Sequence, residues 1–273
     1  MSNIIITGHT GFLGKATSEF LSKNHNVFPL HSKYMHNAYI LFNNIIKFRP
    51  DTIINFGWGG GSNRADLNNI EQFDNIKTCI DLFKLGMKCG VNRFIQISSS
   101  WKNFNNSNSI NNYSFCKEEV DIVLDRMAKL YSIELITIVP YWVYGPGDKG
   151  NRLIPSIINK CLKNEKIELH PCQNIVDYLY ISDFVKAIDV ILESEYYFGS
   201  ISICSGDNYK IKDIIEGIKS LTNSKSEISY NKDYPTNFQM KWVGNNNKLI
   251  ELGWYPKFGI EEGLKRTIEH YES

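Results

Sequence analysis

The chain of 273 residues is 42% apolar, with 15 Phe and 15 Tyr, enough for one large domain or a domain with a small appended lobe. Thirty Lys and Arg against 29 Asp and Glu leave a net charge of +1, which gives no electrostatic pull toward nucleic acid or an anionic membrane, so neither is an expected partner. No stretch reaches the roughly 18 apolar residues that span a bilayer, and the six cysteines (Cys79, Cys89, Cys116, Cys161, Cys172, Cys204) show neither a C-x-x-C pair nor metal-like spacing with His; reduced thiols in a cytoplasmic protein, and no metal site, are expected.

The opening Met1-Ser2-Asn3-Ile4-Ile5-Ile6-Thr7-Gly8 has no basic segment ahead of a long apolar one, so no secretory leader is expected. Residues 4–7 read as a strand, 14–23 as a helix, 26–30 as a strand, 38–48 as a helix and 52–56 as a strand. Over 73–89 the apolar residues Ile76, Ile80, Phe83 and Met87 recur at helical spacing; 93–97 follows as a strand, 113–131 as a long helix and 134–139 as a strand. This alternation predicts an α/β fold, a Rossmann-type doubly wound parallel sheet covered on both faces. Beyond Gly145, loops rich in Gly, Pro, Asn and Asp separate helical periods at 154–163, 182–193, 210–222 and 260–271. The expected organisation is a dinucleotide-binding domain over 1–150, with 177–193 packing back on it, and a smaller α+β substrate lobe over 151–273.

Thr7-Gly8-His9-Thr10-Gly11-Phe12-Leu13-Gly14 follows the first strand and opens the first helix. Gly8 makes the tight turn, Gly11 lets the backbone approach a pyrophosphate, and Gly14 lets the helix lie close on the sheet. The free N–H groups of the helix N-terminus then face the phosphates. Gly8, Thr10, Gly11, Phe12, Leu13 and Gly14 are thus candidate cofactor contacts. An acid at the end of the second strand would bind the ribose hydroxyls of NAD. The chain has Leu30-His31-Ser32-Lys33 there, with no carboxylate. Ser32 and Lys33, supported by His31, suit the 2′-phosphate of NADP; alternatively the segment is an ordinary exposed loop. NADP(H) is the expected cofactor, with NAD(H) the alternative.

Ile97-Ser98-Ser99-Ser100 ends a strand at the carboxyl edge of the sheet, where ligands of such folds lie. Tyr113 and Lys117 follow at i and i+4, on one face of a helix. A tyrosine ordinarily titrates near pH ~10, and an ammonium one turn away favours the phenolate, which suits proton transfer near neutrality. Tyr and Lys are common here, so the pair alone says little. With the glycine turn upstream and a strand-end serine between, the combination is specific.

These features, with Ile53-Ile54-Asn55-Phe56-Gly57, Asn75, Tyr144-Gly145-Pro146-Gly147, Leu252-Gly253-Trp254-Tyr255-Pro256 and Leu264-Lys265-Arg266-Thr267-Ile268, resemble the extended short-chain dehydrogenases across nearly the whole chain. The run Val143-Tyr144-Gly145-Pro146-Gly147-Asp148 with Ile154-Pro155 is particularly similar to CDP- and dTDP-4-keto-6-deoxyhexose reductases. The resemblance implies an enzyme acting on a nucleotide sugar, with Tyr113 as proton donor, Lys117 tuning it while bonding the nicotinamide ribose, and Ser99 polarising the substrate carbonyl. It further implies Gly57, Trp58, Ser98 and Pro140 beside the cofactor, and Asn75 supporting its helix or a proton-relay water. Ser99, Ser100, Tyr113, Trp142, Arg152, Leu153 and Lys241 would meet the substrate. It also implies a homodimer through helices 73–89 and 113–131. Val120, Val123 and Leu124 with Ile80 and Phe83 are candidates for that bundle, or equally for the core beneath the sheet.

The chain departs from the family pattern at two places. An Arg that binds substrate phosphates is replaced by Val176, leaving Arg152 or Lys241 to supply the charge, and an Asn is replaced by Trp142. Ser100-Trp101 stands where a dehydratase would carry Asp-Glu, and no Cys follows Ser99 closely for coupled epimerisation. Net reduction of a keto group on a 4-keto sugar nucleotide is therefore the expected reaction. The alternatives are 4-epimerisation with retained NAD and a non-catalytic dinucleotide sensor, for which the intact Ser-Tyr-Lys set is unexpected.

Overall fold

The computed structural model describes residues 1–31, 38–60, 66–104, 111–148, 152–195, 199–231 and 240–272. Thirteen strands appear among them: β1 Asn3–Thr7, β2 Asn26–Leu30, β3 Thr52–Asn55, β4 Arg93–Ile97, β5 Glu134–Pro140, β6 Trp142–Tyr144, β7 Ile167–Leu169, β8 Ile175–Val176, β9 Tyr178–Tyr180, β10 Gly199–Ile203, β11 Tyr209–Lys210, β12 Ile228–Tyr230 and β13 Lys241–Trp242. The chain divides into two compact units, Met1–Pro140 with Ile188–Ser202, and Tyr141–Ala187 with Ile203–Ser273. The boundary falls at Pro140, where β5 ends, against the expected residue 150.

The first unit is built on a six-stranded sheet in the order β10-β5-β4-β3-β1-β2. β1 pairs in parallel with β2 and β3, β3 with β4, and β4 with β5. The inner strands are almost uninterrupted apolar runs, and β1, β3, β4 and β5 are buried over nearly their whole length, as strands covered on both faces must be. Pro29 is tolerated because β2 lies at the sheet edge, where a missing N–H costs no ladder bond. From β1 the chain winds outward to β2, then returns to place β3 on the other side of β1. The winding reverses between β1 and β3, and that is where an open α/β sheet forms its ligand crevice.

Helices Phe12–Leu21, Ala38–Phe48, Asp74–Lys88 and Asn112–Tyr131 belong to this unit. The first begins at Phe12 rather than at the expected residue 14, because Gly11 is still extended (φ −80°, ψ 165°) and caps it. Phe83, Phe94, Val120 and Leu124 lie together in one buried cluster, with Ile80 packed against it. Of the residues read from sequence as candidates for a dimer bundle or equally for core, Phe83, Val120 and Leu124 are therefore core with Ile80 packed against them, while Val123 is half-buried and outside the cluster. Large apolar side chains turned outward include Ile70 and Phe73 on the 3₁₀ turn Ile70–Phe73 and Phe115 and Ile122 on the long helix, with the rings of Phe73 and Phe115 6.0 Å apart.

The second unit consists of three small sheets, β6-β9, β11-β8-β13 and β12-β7, with helices Leu153–Leu162, Ile211–Leu221, Asn247–Glu251 and Ile260–Glu272. Two buried carboxylates hold its loops. Asp177 accepts from Ser205 N and Oγ at 2.7 Å and from Gly206 N at 2.9 Å. Asp183 accepts from Lys257 N at 3.0 Å and Phe258 N at 2.9 Å, while Trp254 Nε1 donates to the Asp183 carbonyl at 3.1 Å. The Leu252–Pro256 motif thus has a structural explanation: its indole and the backbone after it lock onto one residue. Among the described residues no helix is long and apolar enough to cross a membrane.

Candidate active site

The glycine turn sits at the carboxyl end of β1, beside the winding reversal. Gly8 has φ +65°, and a Cβ on it would lie 2.6 Å from Phe56 C and 2.7 Å from Gly57 N; both conformation and space demand glycine. A Cβ on Gly14 would drive into the Gly8 carbonyl and come within 3.2 Å of His9 N, so Gly14 sets how closely the helix meets the turn. Gly11 is different: its Cβ would meet only Gly8 O, at 3.3 Å. Nothing within the fold requires glycine there as strictly. Gly11 also has no side chain with which to cap the helix that starts at Phe12. This cradle fits a pyrophosphate, and with it a dinucleotide.

Buried side chains connect the strand ends. Thr7 Oγ1 donates to Asn55 Oδ1 at 2.5 Å and accepts from Gly57 N at 3.0 Å, and Asn55 Nδ2 donates to Gln96 Oε1 at 2.8 Å. Gln96 Nε2 in turn donates to Ile97 O at 3.2 Å. The rings of His9 and His31 meet edge-on at 4.6 Å; burial, with His31 second, pushes the His9 imidazole below its ordinary value. Ser32 and Lys33, the other residues expected at the ribose, lie outside the described residues.

Asn111 caps helix Asn112–Tyr131 by accepting from Ser114 N at 2.8 Å, and Tyr113 N donates to Leu67 O at 2.8 Å. Tyr113 is thereby fixed in the first turn. Lys117, one turn later and only 4% exposed, donates from Nζ to Ile97 O at 2.7 Å. Its ammonium also lies 3.8 Å from the ring centroid of Trp58 and 5.8 Å from that of Tyr113. Burial pushes Lys117 down to about 8, against the opposing pull of Cys79 and Asp121. Ser99 is buried, its Oγ accepting from Trp101 N at 3.2 Å, and Ser100 opens a short turn of 3₁₀ helix. The Ser98 hydroxyl is turned away, donating to Asp121 Oδ2 at 2.5 Å, which also receives Lys102 Nζ at 2.5 Å.

Trp58 and Asn75 are each held by a neighbouring loop. Trp58 Nε1 donates to Gln72 Oε1 at 2.9 Å, and Gln72, 1% exposed, donates to Gly60 O and Asp66 O. Asn75 accepts from Gly59 N at 2.7 Å and donates to Gly59 O and Gln72 O. Of the two roles implied for Asn75, the geometry displays support of the backbone. Sequence reasoning passed over Gln72 and Asp121, and quoted Asn55 only within the Ile53–Gly57 run, with no role of its own. Asp121 alone carried a signal, standing four residues after Lys117 on the same helix.

Pro140 closes β5 at the end of the first unit. The expected substrate residues Trp142, Arg152, Leu153 and Lys241 belong to the second. Arg152 stands at the N-cap position of helix Leu153–Leu162 without a side-chain capping bond, and its guanidinium lies 3.6 Å from the buried Asp148 carboxylate, itself pushed up to about 6 by burial against the opposing Arg152 charge. Lys241 pairs with Ile175, and Trp242 with Val176. Because aligned strand residues share a face, Trp242 rather than Lys241 stands beside Val176. The Trp142 ring meets Tyr178 and Trp242 edge-on, each at 5.7 Å.

A glycine turn between a first strand and helix, followed by a strand-end serine and a Tyr-x-x-x-Lys pair in one α/β unit, is the arrangement of an extended short-chain dehydrogenase. Residues 4–201 match the NAD dependent epimerase/dehydratase family, and the chain belongs to it; it is an NAD(P)-dependent enzyme. A CDP-abequose synthase of Salmonella typhimurium is 28% identical over 295 aligned positions, covering 96% of this chain and 97% of that one. Among solved structures, UDP-glucose 4-epimerase from Thermotoga maritima superposes with a TM-score of 0.86 at 20% identity, covering 98% of each chain. The GDP-mannoheptose C4 reductase of Campylobacter jejuni gives 0.84 at 18% identity over the full length of both. Likeness at that identity speaks for the fold.

Proposed function

We propose that the protein reduces the keto group of a nucleotide-linked 4-keto-6-deoxy sugar. The observation that carries this reading is the buried Lys117 ammonium, held at Ile97 O and directed at Tyr113 in the same unit as the glycine cradle. The residues of the Gly8–Gly14 turn, with Gly57 and Lys117, would hold NAD(P)H, which supplies hydride when bound. Ser99 donates a hydrogen bond to the sugar carbonyl oxygen, and Tyr113 gives that oxygen its proton as the carbon is reduced. Lys117 keeps the phenol acidic enough to release the proton. Ser98, its hydroxyl bound to Asp121, would reach the cofactor through its backbone alone.

The relative named CDP-abequose synthase supports a nucleotide-linked sugar as substrate. Arg152 is the better candidate for its phosphates, since Lys241 shares the face of Ile175 rather than of Val176. The cofactor is NADP(H) and the assembly a cytoplasmic homodimer in this reading. The test is NADPH consumption by the purified protein with CDP-, dTDP-, GDP- and UDP-linked 4-keto sugars. Oxidation of NADPH with one of them supports the reading; interconversion of 4-hydroxyl epimers without net consumption would establish a 4-epimerase instead.

A further inference from the structure

Lys117 is a buried cation without a direct anionic partner: among the described residues, no carboxylate forms an ion pair with it. Its neighbours come from every packed element. Cys79 lies on helix Asp74–Lys88, Asp121 on its own helix, Lys102 in the 3₁₀ turn and Tyr113 one turn before it. The nearby carboxylate of Asp121 is engaged through Oδ2, which receives both Ser98 and Lys102, while its buried Oδ1 takes no hydrogen bond from Lys117. One backbone carbonyl, Ile97 O, accepts a single N–H of the three that an ammonium carries. The remaining close partner is the face of Trp58, 3.8 Å from Nζ, and a ring face offers a desolvated cation its negative quadrupole.

That face is not free to turn. The indole N–H is bound to Gln72, and Gln72 is pinned by two loop carbonyls, Gly60 O at 2.9 Å and Asp66 O at 3.0 Å. The opposite edge is bounded by the Tyr113 ring, in T-shaped contact at 5.8 Å. We propose that Trp58, anchored by Gln72, is a positioning residue whose ring face keeps the Lys117 ammonium charged and aimed at Tyr113. The inference rests on the acid–base reading of that pair and adds a third member, with its own support, from a different loop.

The test separates ring face from apolar bulk. Trp58→Leu keeps an apolar side chain but removes the ring face; Trp58→Phe keeps a face and lacks the anchor. Subtracting the phenolate absorbance of each variant's Tyr113→Phe partner isolates the titration of Tyr113. With Trp58→Leu, Lys117 gives up its proton more readily and Tyr113 loses support, so its titration and the matching limb of kcat/KM rise by about one pH unit, roughly tenfold in acidity. Trp58→Phe, with a face but no Gln72 anchor, shifts by clearly less than Trp58→Leu. Titration of Tyr113 at the wild-type pH in Trp58→Leu, or a shift as large in Trp58→Phe, overturns the proposal. Full turnover by Tyr113→Phe together with a shifted titration would sink the catalytic reading and leave the role of Trp58 standing.

Discussion

Lys117 Nζ bonds the carbonyl oxygen of Ile97, the last residue of β4, at 2.7 Å. Gln96 donates to the same oxygen and is joined through Asn55 to Thr7, which stands immediately before the glycine turn. One line of buried hydrogen bonds thus runs along the carboxyl edge of the sheet, from the phosphate cradle to the lysine. Residues far apart in sequence are held in one frame, which the proposed chemistry requires.

Tyr113→Phe is expected to leave cofactor binding nearly intact and to cut turnover by about 10²–10⁴, the usual worth of a positioned acid. Lys117→Met should damage both, because Lys117 serves the cofactor as well as the tyrosine. Ser99→Ala should fall between, and the double variant with Tyr113→Phe should cost less than the sum, since both serve one oxygen. Steady-state kinetics with cofactor titration decide this; wild-type turnover by Tyr113→Phe refutes the mechanism.

NADPH should bind at least about tenfold more tightly than NADH, a difference of about 1.4 kcal/mol that one charge-assisted contact can supply. No acid stands among His31, Ser32 and Lys33 to repel the 2′-phosphate, and in the proposed reading Ser32 and Lys33 would supply donors. Equal affinities by calorimetry, or tighter NADH, would overturn the preference.

The three glycines of the turn should separate by role. Gly14→Ala pushes a methyl into the Gly8 carbonyl and should lower stability by about 1–3 kcal/mol or more. Gly11→Ala meets only one atom, at 3.3 Å, and should melt nearly as wild type while losing most of its dinucleotide affinity. Denaturant midpoints and cofactor titration of the two variants check the contrast; equal losses of stability would refute it.

Asp148 links stability to pH. Its carboxyl is pushed up from 3.8 to about 6, first by burial, so the folded protein binds that proton more tightly than the unfolded chain. The destabilising effect is absent below about pH 4 and complete above about pH 6. Asp148→Asn should therefore stabilise the protein by about 2–3 kcal/mol at pH 8 and by little near pH 4. Urea midpoints at the two values test it, and a gain independent of pH would count against it.

Ile70, Phe73, Phe115 and Ile122 leave apolar surface on adjoining elements of the first unit, and the proposed homodimer would cover it. Ile122, on the long helix and 58% exposed, tolerates a charge in a monomer but not in an interface. Sedimentation at micromolar concentration should give a dimer for the wild type and a monomer for Ile122→Glu, with unchanged circular dichroism. A monomeric wild type sinks the prediction.

Period and spacing alone determined the parallel sheet, its long helices and the glycine turn, and picked out Ser99, Tyr113 and Lys117 as a candidate set whose roles the family resemblance implies. Each of these is local: a strand buried on both faces is a continuous apolar run, and a residue one helical turn away is four positions away. The two- and three-residue strands of the second unit were not legible, because so few residues show no period. Nor was the core position of Val120, Leu124 and Phe83, since an apolar helix face looks the same whether it meets a sheet or a second subunit. Only the tertiary structure decided which groups surround Lys117. Trp58 reaches it from another loop and is held there by Gln72, Ile97 comes from a strand end and Asp121 from its own helix, and contacts made by chain return leave no local pattern in the sequence to read.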